Sequence, residues 1–435
     1  MRYIAFPTFL LIAFVIYFLI SLPIYSGDVK NHVAWGQSLL EQGPYGFFDR
    51  TFPGYSFPTY PPLIMFSFAI SWWLYQFKLG AIYFLNSAVP IFPSPLVHWM
   101  EWENVWISFL KLPGLIGAIA FAGVLPWVLK KSGETLAIKN KYLIAFLLLI
   151  NPAVIYVASV WGQTDLIQNL FLVLALGFTF NKKFWWAFIF AGIALMTKHT
   201  ILILWGVYMF YLLKEFGIKR TIQAVVVSLV IFYLSYLPFH SPSLIWPLQF
   251  YYSNFTLVDF GVAENALNMW GAIIDFGMAP SSIFAGISYD LWGYILFTIF
   301  VLPITILFYL KKTTKYQLFQ YLFLISGFYF FFFTRMHERY MIPVVLFATI
   351  LVCFKQNQIM RATNWLNLIF FTFLHFINVY RGLFQPTIPV IYDLTKSNQF
   401  LLWLVIGYGL LLLYNYTLFL KELVRAQRRE KFIVW

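Results

Sequence analysis

Asp28 is the residue on which chemistry is most readily built in this chain. It lies in the stretch YSGDVKNHVAWG, Tyr25 to Gly36, directly after the first apolar run. Gly27 lets the chain turn, Asp28 falls in the first turn of an expected surface helix, and His32, four residues on, shares its face. A carboxylate so placed can act as general base toward a hydroxyl nucleophile. The same position suits a helix N-cap, and the local sequence does not choose between the two.

Four further stretches concentrate polar residues between apolar flanks. NPAVIYVASVWGQTD, Asn151 to Asp165, ends on Trp161, Gln163 and Asp165. An aromatic ring, an amide and a carboxylate suit a sugar, through stacking and paired hydrogen bonds to hydroxyls. Asp165 also opens the next helix, where the dipole favours a carboxylate. TKHT, Thr197 to Thr200, offers Lys198 either as a snorkelling lysine or as a phosphate contact.

TRMHERYM, Thr334 to Met341, sets Arg335, His337, Glu338 and Arg339 between FYFFFF and MIPVVLF. Read as a helix, it puts Arg335 and Arg339 on one face, a pair suited to a phosphate with several acceptor oxygens. His337-Glu338 lacks the second histidine of an HExxH zinc motif. The loop VDFGVAENALNMWG, Val258 to Gly271, reads as a helix whose polar face carries Glu264, Asn265 and Asn268, either a lid over a substrate or plain packing. Asp49, beside Arg50, is a further candidate substrate contact. Asn254-Phe255-Thr256 is a glycosylation sequon, meaningful only in a eukaryote.

These residues need elements to hold them, and composition says what kind. Of 435 residues, 61% are hydrophobic and only 10% charged, too few to cover a water-soluble globule. The expectation is an all-α polytopic membrane protein forming a single domain over residues 1–435, with apolar runs sized for a bilayer. One cysteine, Cys353, excludes a disulfide framework and a cysteine metal site. The net charge of +13 collects in breaks such as Lys130 and Lys131, Lys311 and Lys312, and the tail from Lys421 to Lys431. Such breaks mark the cytoplasmic side and an anionic lipid surface, and argue against nucleic acid as a partner.

Counting parity from Arg2 gives about 12 spans with both termini cytoplasmic, and a first helix that is retained, not cleaved. Residues 25–104 form a first exoplasmic loop and 240–290 a second. Within the first, the apolar runs Pro62 to Phe77 and Ala81 to Phe92 are either a hairpin into the bilayer or interfacial helices. The parity count puts Asp28, Asp165, Lys198 and the RMHER cluster on one face of the membrane.

Taken together, the motifs resemble the GT-C class of integral-membrane glycosyltransferases. YSGD resembles its catalytic-aspartate loop, TYPPL at Thr59 to Leu63 its YPPL segment, NPAVIYVASVWGQTD its outer turn, and RMHERYMIP its HE(K/R) motif. The nearest resemblance is to the glucosyltransferases that build the N-glycan precursor, and to bacterial and archaeal GPI-type mannosyltransferase relatives. The resemblance implies inverting transfer of a hexose, mannose or glucose, from a polyprenyl-phosphate carrier to an exoplasmic lipid-linked glycan or other acceptor. It implies Asp28 as the base, and Arg335, His337, Arg339 and Lys198 around the donor phosphate. His32, Asp49, Trp161, Gln163, Asp165, Glu338 and Asn265 would contact substrate. No cofactor is expected and a divalent metal is left open. A bacterial or archaeal cell membrane is expected ahead of the endoplasmic reticulum. Two other readings are a flippase of lipid-linked sugars, which would favour charges midway along helices such as Lys111, and a glycan polymerase or ligase.

Overall fold

The computed structural model describes residues 4–24, 26–256, 261–274 and 277–431. Arg2, Tyr25 and Val258 to Phe260, with the side chains of Thr256, Arg425, Arg428, Arg429 and Lys431, lie outside the described residues. The chain is overwhelmingly α-helical. In order, the helices are α1 (Phe6–Ser21), α2 (Gly27–Gln42), α3 (Pro62–Ala88), α4 (Ser94–Glu101), α5 (Glu103–Leu110) and α6 (Leu112–Lys131). There follow α7 (Lys141–Leu149), α8 (Pro152–Ile155), α9 (Asp165–Phe180), α10 (Phe184–Leu195), α11 (Leu202–Tyr236) and α12 (Trp246–Thr256). The last six are α13 (Tyr289–Leu310), α14 (Lys315–Phe332), α15 (Ile342–Leu351), α16 (Gln358–Leu383), α17 (Pro389–Lys396) and α18 (Asn398–Lys431).

Among the described residues, five helical segments are long and apolar enough to cross a membrane: Leu112–Lys131, His199–Tyr236, Tyr289–Leu310, Gln358–Leu383 and Asn398–Val424. A sixth would be the pair Lys141–Leu149 and Pro152–Trp161, which is bent by 62°. Phe6–Ser21, Asp165–Phe180 and Phe184–Leu195 are apolar but shorter. The bend follows from Pro152, which has no N–H to continue the ladder. The two runs expected around Pro62 to Phe92 join into the single helix α3, 27 residues long, so no hairpin forms there. Pro61 and Pro62 start it at positions where a missing N–H costs nothing. The backbone of α11 breaks at Gly217 (φ 77°).

Contacts divide the chain into two compact units: residues 1–124, 154–209 and 216–258 in one, and 125–153, 210–215 and 259–435 in the other. In the first, α2 is amphipathic. Val29, His32, Trp35, Gly36 and Leu39 form a buried stripe at helical spacing that packs on α3. Gly36 permits the close approach, since a Cβ there would stand 2.7 Å from the Phe68 carbonyl oxygen. Arg50 closes the C-terminal end of α2 by donating to the carbonyls of Ser38 (3.1 Å) and Gly43 (2.7 Å). Trp35 Nε1 donates to the Ser56 carbonyl at 2.9 Å and Asn31 Oδ1 accepts from the Ser56 N–H, so the segment leading to α3 is tied to α2.

In the second unit, α14 is apolar all round and buried along almost its whole length, packed by α13, α15 and α18. Thr314 and Gln317 close its N-terminus as a capping box. Two short strand pairs complete this unit: β1 (Ala263–Glu264) runs parallel to β4 (Met336–His337), and β2 (Ile283–Phe284) is antiparallel to β3 (Ile287–Ser288).

If α2 is held against α3 by that close approach, Gly36→Ala should destabilise the protein by about 1–3 kcal/mol through overpacking. Thermal unfolding in detergent, compared with Gly80→Ala, whose Cβ would meet nothing within 4 Å, checks the effect.

Candidate active site

Asp28 is not the cap of its helix. Ser26 occupies the N-cap position, and Asp28 stands within the first turn, half-buried, where the positive end of the α2 dipole favours its charge. Its side chain is committed elsewhere. Oδ2 accepts hydrogen bonds from Trp161 Nε1 at 3.0 Å and from Gln163 Nε2 at 2.6 Å. The stretch that begins at Asn151 thus meets the stretch at Asp28 across more than 130 residues of sequence.

Local structure explains why that meeting is possible. After Pro152 and α8, residues Tyr156–Trp161 wind as a π-helix, and Gly162 ends it in the left-handed region (φ 80°). π-turns are strained and recur at functional sites. Gly162 is required twice, by its φ and by space. A Cβ there would lie 2.5 Å from Lys111 Cγ and 2.9 Å from Val29 Cγ2, in the residue next to Asp28. The reversal that follows turns Trp161 and Gln163 toward one carboxylate.

Gln163 is fully buried and fixed at both ends. Its Nε2 donates to the carboxylate, while its Oε1 accepts from the Tyr60 hydroxyl at 3.3 Å, which sets the orientation of the amide. Tyr60 belongs to TYPPL, and its ring lies under Lys198 Nζ, 5.3 Å from the centroid. Lys198 in turn pairs with Asp165 Oδ1 at 2.7 Å, with side chains only 1% and 0% exposed. Four stretches singled out in the sequence therefore form one connected group in this unit.

Four of the expected site residues are placed otherwise than expected. Lys198, expected at a donor phosphate, and Asp165, expected at a sugar, are bonded to each other in the interior, because an unpaired charge there would cost far more than a paired one. His32 is 1% exposed and stacked on Phe68 at a ring separation of 4.0 Å, so it serves aromatic packing between α2 and α3. Asp49 is exposed on a short 3-10 turn (Phe47–Asp49), apart from the hydrogen-bonded group around Asp28.

The RMHER segment belongs to the other unit and is not helical at its start. Arg335 has φ 60° and donates its backbone N–H to the Val262 carbonyl, after which Met336 and His337 run extended as β4. Arg335 and Arg339 therefore share no helical face. Each arginine has its own carboxylate: Arg335 Nη2 lies 3.1 Å from Asp290 Oδ2, and Arg339 Nη1 lies 3.1 Å from Glu338 Oε1. His337 Nδ1 stands 3.9 Å from the other oxygen of Glu338. Glu338 is buried, and its backbone carbonyl accepts from Asn378 at 2.7 Å.

The loop expected as a polar helix is instead β1 followed by a 3-10 turn. Its polar side chains close α14, where the last carbonyls lack partners within the helix. Asn268 Nδ2 donates to the Phe330 and Phe333 carbonyls and Trp270 Nε1 to that of Phe332. Asn265 sits in the left-handed region (φ 55°), and its carbonyl faces Arg381 at 3.4 Å. No group of three or more metal-ligating side chains is gathered among the described residues.

Sequence reasoning passed over Tyr60, Lys111, Asp290 and Asn378 as members of these groups. TYPPL was a signal for the first and the isolated charge of Lys111 a signal for the second. Nothing local marked the other two. No protein-family model matches the chain, and no curated protein matches it.

The buried pair gives a test of the group's construction. Lys198→Met should cost about 3–5 kcal/mol by leaving Asp165 uncompensated, and Asp165→Leu added to it should recover most of the loss. Melting temperatures of the two single variants and the double variant measure the coupling directly.

Proposed function

We propose that this protein is an integral-membrane glycosyltransferase that moves a hexose from a polyprenyl-phosphate carrier to an acceptor hydroxyl with inversion. The observation that carries the reading is the Asp28 carboxylate, half-buried on the first turn of α2 and oriented by Trp161 and Gln163. An aspartate held by two side-chain donors, and not spent on capping, is shaped as a base. Asp28 accepts the proton of the acceptor hydroxyl. The acceptor oxygen bonds to the anomeric carbon from the face opposite the phosphate, the bond from carbon to phosphate oxygen breaks, and polyprenyl phosphate leaves with the electron pair. A phosphate leaving group needs cationic stabilisation more than a proton, so no second carboxylic acid is needed.

Arg335, His337 and Arg339 are assigned to the donor phosphate, with Glu338 and Asp290 holding the arginines in place. Lys198 is assigned a supporting role through Asp165 and Tyr60. Trp161, expected at the sugar, is buried and with Gln163 orients the base. The further assignments are about 12 membrane spans, an exoplasmic site, a lipid-linked glycan or other acceptor, and a bacterial or archaeal cell membrane. The spans and the exoplasmic site rest on the positive-inside reading of the sequence, and the acceptor and the membrane on the resemblance of its motifs.

Purified protein in liposomes with a panel of labelled polyprenyl-phosphate hexoses tests the reading. The wild type should consume one of them, by transfer or by hydrolysis. Asp28→Asn should lower the rate by about 10²- to 10⁴-fold while donor binding persists. Asp49→Asn, on an exposed turn, should leave the rate close to wild type. An undiminished rate in Asp28→Asn would remove Asp28 from the mechanism. Movement of the donor across the bilayer without covalent transfer would favour the flippase reading.

A further inference from the structure

Lys111 is the one lysine besides Lys198 whose side chain is wholly enclosed among the described residues, and its surroundings differ from those of Lys198. It sits between α5 and α6, at 0% exposure. Its Nζ donates to three backbone carbonyls: Ser21 at 2.9 Å, Ile24 at 2.6 Å and Val160 at 3.0 Å. Three ammonium hydrogens meet three acceptors, and among the described residues no carboxylate shares them.

Two of these carbonyls lie just past or at the C-terminal end of α1, and the third lies near the end of the π-turn. Both are chain ends where carbonyls lack partners and the dipole is negative, so one cation satisfies two helix termini at once. The stem of Lys111 fills the space under Gly162, against Val29. Seen along the sequence, Ile24 stands four residues before Asp28, and Val160 stands immediately before Trp161. The ammonium therefore ties the segment that carries the carboxylate to the segment that carries both of its donors.

We infer that Lys111 is a positioning residue for Asp28, a buried cation that holds the carboxylate in register with Trp161 and Gln163 without touching any of the three. The reading of Asp28 as a catalytic base rests on the proposed function. The positioning itself rests only on the geometry above. A flippase path would present such a charge to water, whereas here every hydrogen of the ammonium is used by backbone.

The test reads Asp28 directly. Asp28 in purified protein is labelled with a water-soluble carbodiimide and an amine, and the extent at each carboxylate is measured by mass spectrometry. Lys111→Met keeps the length of the stem and removes the donors. Labelling of Asp28 should rise several-fold in this variant, while that of exposed Asp49 stays constant. Turnover of the polyprenyl-phosphate hexose that the wild type consumes should fall about 100-fold through kcat, with KM little changed, as expected when a reacting group is displaced by an ångström or so. Lys111→Gln, which retains two N–H donors for the same carbonyls, should lie between wild type and Lys111→Met on both measures. Unchanged Asp28 labelling in Lys111→Met overturns the inference. So does failure of both variants to fold, which would make Lys111 a residue of folding alone. Should Asp28→Asn keep full activity, the catalytic role of Asp28 falls and the labelling result still decides the positioning.

Discussion

A charge withdrawn from water has to find its counterpart in the protein, and this constraint organises the candidate site. Four charged groups in the first unit meet it in three ways. Lys198 and Asp165 neutralise one another at 2.7 Å. Lys111 is satisfied by carbonyls alone. Asp28 is held by an indole and an amide, both neutral donors. Of these, only the third orients a half-buried carboxylate through neutral donors.

The helices serve this arrangement through their ends more than through their faces. α1 stops at Ser21, α2 begins at Gly27 next to Asp28, the π-turn stops at Trp161 and α9 begins at Asp165. Helix ends carry the unsatisfied backbone groups and the partial charges of the dipole, so buried ionisable side chains are most readily accommodated there. Gly162 lets two of these ends approach, and its lack of a side chain is what leaves room for the Lys111 stem.

The second unit handles its charges in the same way with a different result. Arg335 and Arg339 are each matched to an acid, Asp290 and Glu338, and the backbone between them is extended by pairing with Ala263 and Glu264. Pairing fixes the guanidinium planes. The cost of unmet carbonyls at the end of α14 is taken up by Asn268 and Trp270.

Helical character, the run of apolar segments and the stretches worth inspecting were legible in the sequence, because hydropathy and the exclusion of charge from apolar surroundings are local properties. Each of the five stretches singled out does carry buried or paired polar groups. Local sequence could not say which group pairs with which. Nothing within Tyr25 to Gly36 shows that Asp28 bonds to residues 133 and 135 positions away, or that His32 on the same helix turns inward to stack on Phe68. The same holds for Arg335, whose helical reading failed because a strand partner more than 70 residues earlier outcompeted the local helix. The sequence by itself determined which side chains must be satisfied. Only the tertiary structure decided by what, since a hydrogen bond or an ion pair is made by proximity in space, which for these residues is unrelated to proximity along the chain.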